Sequence, residues 1–96
     1  MTAYVIADID VHDREAYQEY AALVPGTIES YEGRYLVRGG QHETLEGAWQ
    51  PHRVVVTEFP SADHARRWYE SPEYQAALAI RQRASTGSLI LVEGAD

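Results

Sequence analysis

Between Gly33 and Ser61 the chain carries two strand-like runs in succession, Arg34 to Arg38 and Arg53 to Phe59, with helix-like stretches before and after. A pair of strands between two helical segments restricts a short chain to a few mixed architectures. Each run sets an arginine among apolar residues, Arg38 in the first and Arg53 in the second, and the second run also holds Glu58. Removing such charges from water is costly unless they find partners. The segment therefore points to a polar site set into an apolar sheet.

The remaining chain completes the pattern. Ala3 to Asp10 alternates as a strand, with Val5, Ala7 and Ile9 on one face and Tyr4, Ile6 and Asp8 on the other. Asp13 is a helix N-cap with Glu15 in the first turn, and Tyr17, Tyr20, Ala21, Val24, Ile28 and Tyr31 form one apolar stripe. Pro25-Gly26 is predicted to kink or split this helix. Gly33 is read as its end, and residues 39–50 as a loop longer than a tight hairpin needs. Ser61 caps a short helix whose buried face is Ala65, Trp68 and Tyr69. Ser71-Pro72-Glu73 starts another, with Tyr74, Ala77, Leu78 and Arg81 on one side. Thr86-Gly87 is predicted to end it, and Ser88 to Glu93 to form the last strand.

Two strand–helix–strand units with right-handed crossovers give a single α+β domain over residues 1–96. It is a ferredoxin-like βαββαβ fold with a four-stranded antiparallel sheet and helices on one face. The other face also carries apolar residues, so a second copy is expected to cover it.

Composition narrows the function classes. The formal net charge is −7, which argues against nucleic acid and against an anionic membrane surface. The 8 cations are all arginine, a usage expected of a high-GC bacterium, and without lysine no Schiff base can form. The absence of cysteine excludes thiolate catalysis and zinc–thiolate sites. No apolar run approaches a membrane span and no signal-peptide pattern opens the chain, so a cytoplasmic location is expected.

Gly33-Arg34-Tyr35-Leu36-Val37-Arg38-Gly39-Gly40, Leu45-Glu46-Gly47-x-Trp49, Glu58-Phe59-Pro60-Ser61 and Trp68-Tyr69-x-Ser71-Pro72-Glu73-Tyr74 together resemble the family called domain of unknown function 1330. The resemblance spans nearly the whole chain. It implies a dimeric α+β barrel, in which ferredoxin-like protomers form a homodimer through their sheet faces, and it implies no defined reaction. Relatives in that superfamily include cofactor-free oxygenases, haem-degrading enzymes and stress-response proteins, an analogy of fold alone.

Arg38 and Arg53, on neighbouring strands, can converge on an anionic small-molecule ligand, since a guanidinium fork suits a carboxylate. Alternatively they form structural salt bridges with Glu58, Glu46 or Asp8. Tyr20, Tyr35, Trp49, Trp68 and Tyr69 are candidates for an aromatic pocket wall or for plain core. His42, in the long loop, and Glu58, in an apolar strand, are the candidate acid–base groups. Alternation puts Glu58 on the face of Val54 and Val56 and Arg53 on the opposite one. The four histidines show no metal-ligand spacing, and neither a metal nor another cofactor is expected. The leading reading is a small-molecule-binding protein, with cofactor-free proton transfer or oxygenation of an enolisable substrate as its chemistry. Such an enzyme needs Arg38 and a base opening into one cavity of several hundred Å³. The rival is a non-catalytic binding or stress-associated dimer with structural charge pairs and a filled interior.

Overall fold

The computed structural model describes residues 1–95. They form β1 (Ala3–Val11), α1 (Arg14–Ser30), β2 (Arg34–Arg38), β3 (Val54–Phe59), α2 (Ala62–Glu70), α3 (Pro72–Ala84) and β4 (Ser85–Glu93). Asp96 lies outside the described residues. The strands make one sheet in the order β2-β3-β1-β4, and every neighbouring pair is antiparallel. This is the ferredoxin-like α+β arrangement expected from the sequence.

Alternation along β1 decides which side is covered. Ala3, Val5, Ala7 and Ile9 are buried under the helices, while Tyr4, Ile6 and Asp8 are half-buried on the open face. The register carries this parity across the sheet: Val5 lies beside Thr57 and Leu91, and Ile6 beside Val56 and Ile90. Phe59, Trp68 and Tyr74 share one buried core cluster with Val24, Ile28 and Leu78. The Trp68 and Tyr74 ring centroids are 4.1 Å apart. Trp68 also donates its indole N–H to Thr27 Oγ1 at 3.0 Å, and that hydroxyl donates to the Val24 carbonyl at 2.7 Å, so the buried polar atoms are served in series.

Three local features depart from the sequence reading. Helix α1 runs without a break through Pro25-Gly26. Proline has no N–H for the carbonyl four residues back, which here belongs to Ala21. Arg38 supplies the missing donor, with its guanidinium 2.8 Å from Ala21 O. Strand β2 holds a bulge between Tyr35 and Val37, and the extra residue Leu36 reverses the parity of Val37 and Arg38. Tyr35 pairs with Thr57 and Arg38 with Val55, so both face the helices although three positions separate them. Finally, Thr86-Gly87 is not a turn. Helix α3 passes directly into β4 at Ser85, and β4 pairs with β1 along its full length, from Val11↔Ser85 to Ala3↔Glu93. Glycine serves the strand at position 87 because a Cβ would stand 2.6 Å from the Asp8 carbonyl and 2.7 Å from the Ile9 side chain.

Candidate functional site

The cavity between α1 and the sheet arises from these departures. Tyr17, Tyr20, Ala21 and Val24 descend from α1, and Tyr35, Arg38, Arg53, Val55 and Thr57 rise from the β2–β3 hairpin. Trp68 and Leu89 contribute to the same lining. Arg53 reaches it by simple alternation, sharing the helix face with Val55 and Thr57; Arg38 reaches it only because of the bulge.

The two guanidinium groups are held differently. Arg38 is at the exposed end, 4.6 Å from the Tyr35 ring centroid and bonded to the Ala21 carbonyl. Arg53 lies deeper. Its Cζ is 5.7 Å from the Tyr17 ring centroid, and its Nε is fully enclosed without a hydrogen-bond partner. Its guanidinium packs directly on Gly39, where any Cβ would overlap it; Gly39 also has φ +73°, a left-handed conformation glycine adopts freely. Gly39 thus closes the hairpin and makes room for Arg53 in one residue.

The salt bridges considered from the sequence do not form. Among the described residues neither Arg38 nor Arg53 is in an ion pair. Glu58 is on the open face, as its parity requires, and its Oε1 accepts from Arg34 Nε at 2.9 Å. Asp8 is also on the open face, accepting from Trp49 Nε1 at 3.0 Å and from the His52 backbone N–H at 2.8 Å. These two bonds hold the Asp8 carboxyl below its ordinary range, the Trp49 bond contributing most.

Of the sequence candidates, Arg38, Arg53, Tyr20, Tyr35 and Trp68 share the cavity. The others do not. Glu58 is separated from it by the sheet, so the role of general base there falls away. His42 is exposed in the loop and donates from Nε2 to the Pro51 carbonyl at 2.8 Å. Trp49 is 63% exposed over Asp8. Tyr69 lines a different groove, between α2 and β4. Sequence reasoning passed over Tyr17 as a site residue, although it lies one turn before Tyr20 on the stripe that faces the sheet.

The lining donates protons and accepts none readily. Burial pushes the Tyr20 hydroxyl far above the usual phenol range, and the Tyr74 hydroxyl, 3.0 Å away, adds to the effect. Burial raises Tyr35 as well, opposed in part by the Arg38 charge. Both phenols stay protonated at neutral pH and act as hydrogen-bond donors. The enclosed volume is about 40 Å³, room for roughly three waters at the ~10–15 Å³ each requires. It is far smaller than the cavity an enzyme of the expected kind needs. A space of this size has room for a group no larger than a carboxylate while Arg38 stays on Ala21. Among the described residues no three metal-ligating side chains converge, and no helix is long and apolar enough to cross a membrane.

Solved structures share this fold at low sequence identity. A protein of unknown function from Rhodopseudomonas palustris superposes with TM-score 0.78 at 20% identity, over 99% of this chain and 83% of that one. A dimeric ferredoxin-like protein of unknown function from Jannaschia sp. CCS1 gives 0.73 at 12% identity, over 98% of this chain and 100% of that one. SnoaB, a cofactor-independent oxygenase from Streptomyces nogalater, gives 0.68 at 12% identity, over 99% of this chain and 94% of that one. No curated protein matches the sequence. The family model described as domain of unknown function (DUF1330) matches residues 2–95, and the chain belongs to that family.

Proposed function

We propose that the protein is a homodimer in which each protomer binds a small organic anion between α1 and the sheet, held by Arg53 and Arg38 and walled by tyrosines. The observation that carries this reading is the pair of guanidinium groups on one cavity, neither in an ion pair among the described residues and one with an enclosed, unused Nε–H donor. A carboxylate placed there accepts from both arginines and from a protonated phenol, and no acidic side chain in the lining repels it. Dimerisation is supported by the open face, where Ile90 and Val92 are 59% and 41% exposed beside Ile6 and Tyr4. The named dimer among the proteins of similar fold points the same way.

A catalytic reading has support of its own. Two arginines and two phenols that keep their protons form the kind of donor cluster that stabilises an enolate or phenolate oxygen, and a cofactor-independent oxygenase shares the fold. With no carboxylate or imidazole in the lining, the substrate must bind already ionised.

Calorimetric titration with benzoate and with uncharged benzamide tests the binding site. Benzoate binds and benzamide does not. Arg53→Met and Arg38→Met each weaken benzoate by about tenfold or more, the effect of a lost charge-assisted hydrogen bond of ~1.5–3 kcal/mol. Equal affinity for the two probes, or benzoate binding indifferent to both substitutions, overturns the reading.

A further inference from the structure

Arg81 has no place in the Arg38–Arg53 cavity. It occupies a position in the buried stripe of α3, between Leu78 and Ala84, and is 6% exposed. Its Nε is enclosed without a hydrogen-bond partner, and it takes part in no ion pair among the described residues. An arginine cannot shed its charge to escape this situation. A charged group kept under the helices without a counter-ion costs stability, and here it borders an open groove of about 480 Å³, within the ordinary range of ligand sites.

The groove runs between α2, α3 and β4 and shares Val5 and Leu89 with the Arg38–Arg53 cavity, whose other lining residues it does not include. Ala65, Leu89 and Leu91 give it apolar walls. Two further charges stand in the lining. Arg66 is engaged with Asp63 at 3.2 Å, and Glu70 presents a carboxylate. A second negative charge on a ligand would meet Glu70, so a dianion such as phosphate is disfavoured. A planar carboxylate fits the guanidinium fork, and the apolar walls suit a hydrocarbon chain behind it.

We infer that Arg81 anchors a second ligand site, specific for a monocarboxylate with an aliphatic tail, in the groove between α2, α3 and β4. The arginine supplies the counter-charge and orientation, and the walls supply affinity through the tail.

Octanoate is the probe and octanamide its neutral control. In the wild-type protein octanoate moves the Arg81 side-chain Nε–Hε resonance together with the amides of Gly87 and Leu91, and octanamide does not. In Arg81→Met, and in Arg81→Lys, octanoate affinity falls tenfold or more and the rise in melting temperature it confers on the wild type disappears. The wild-type resonances carry the test even if a variant fails to fold. Octanoate shifts confined to Arg38, Arg53 and Tyr17 would assign the probe to the first cavity and overturn the inference. Unchanged affinity in Arg81→Met would do the same. So would a wild-type protein that ignores octanoate while Arg81→Met loses its dimer, since the groove would then be an interface between copies. Benzoate binding at the first cavity is read separately, so either site can fail without the other.

Discussion

The two faces of the sheet treat charge in opposite ways. On the open face of the protomer the charges have partners: Arg34 with Glu58 at 2.9 Å, and the Asp8 and Asp10 carboxylates with the His52 ring at 3.9 and 3.7 Å. Beneath the helices Arg53 and Arg81, and at the exposed end of the cavity Arg38, have no acidic partner among the described residues. Folding stability alone would favour the reverse, because a charge taken out of water without a counter-ion costs stability. The contrast is the one expected if the helix-side arginines serve the ligand sites proposed above, while the open-face charges satisfy one another.

The contrast requires the helix-covered face to be a firm core with charges placed in it. The largest effect tests that. Trp68 is 3% exposed, packed against Tyr74 and bonded to Thr27. Trp68→Ala removes a buried aromatic and is expected to cost ~3–5 kcal/mol, a large share of the stability of a domain this size. Trp68→Phe retains most of the packing and leaves Thr27 without its donor, for about 1 kcal/mol. Urea denaturation distinguishes the two. A Trp68→Ala protein as stable as the wild type would mean that the covered face is loosely packed and its arginines effectively hydrated.

Much of this was legible in the sequence, and the limits have physical causes. The parity of β1 and the opposite facing of Arg53 and Glu58 come from the two-residue period of a strand. Tyr20 and Trp68 come from helical periodicity. What could not be read is whatever one residue inherits from a distant one. The bulge at Leu36 reverses the side on which Arg38 falls, and no local pattern announces it. Pro25 reads as a helix breaker because the donor that rescues Ala21 O comes from β2, 17 positions away. Thr86-Gly87 reads as a turn because the close approach of the Asp8 backbone, which makes glycine necessary in β4, exists only once the sheet has formed. Trp49 looks like a pocket aromatic until its indole is seen on Asp8, 41 positions earlier. Arg81 did carry a signal, a charge in an apolar helical stripe.

Pro25 offers a way to sharpen the contrast between structural and available arginines. Arg38 currently has two duties, capping the carbonyl that proline leaves bare and facing the cavity. Pro25→Ala restores the helical N–H to Ala21 O. An interior proline costs roughly 3 kcal/mol relative to alanine, offset by the ~0.4–1 kcal/mol that proline contributes by restricting the unfolded chain and by the bond Arg38 already makes. A net stabilisation of about 1–2 kcal/mol is expected. Arg38→Met should then cost less in the Pro25→Ala background than in the wild type, with a coupling of roughly 0.5–1 kcal/mol. A double-mutant cycle in urea measures it. Strict additivity would show that the Arg38–Ala21 bond contributes nothing, and Arg38 would count as wholly available to ligand.

The smallest effect lies on the open face. Asp8 ties the long loop to the sheet through Trp49 and His52, and those bonds depress its pKa. A carboxyl depressed in the folded state contributes stability above its unfolded pKa, ~3.9, and loses that contribution as pH falls through the lower folded value. The latch therefore holds unchanged from pH 7 to 5 and opens only in stronger acid. The Trp49 indole N–H resonance reports it directly, with the buried Trp68 indole as internal reference: Trp49 moves toward a free-indole position and exchanges faster below about pH 4, while Trp68 stays put. Asp8→Asn, which keeps an acceptor oxygen without the charge, abolishes that acid step. A Trp49 resonance that moves between pH 7 and 5 would instead place the controlling group among the histidines, and the open face would then carry a charge balance sensitive to neutral pH, unlike the arginines behind it.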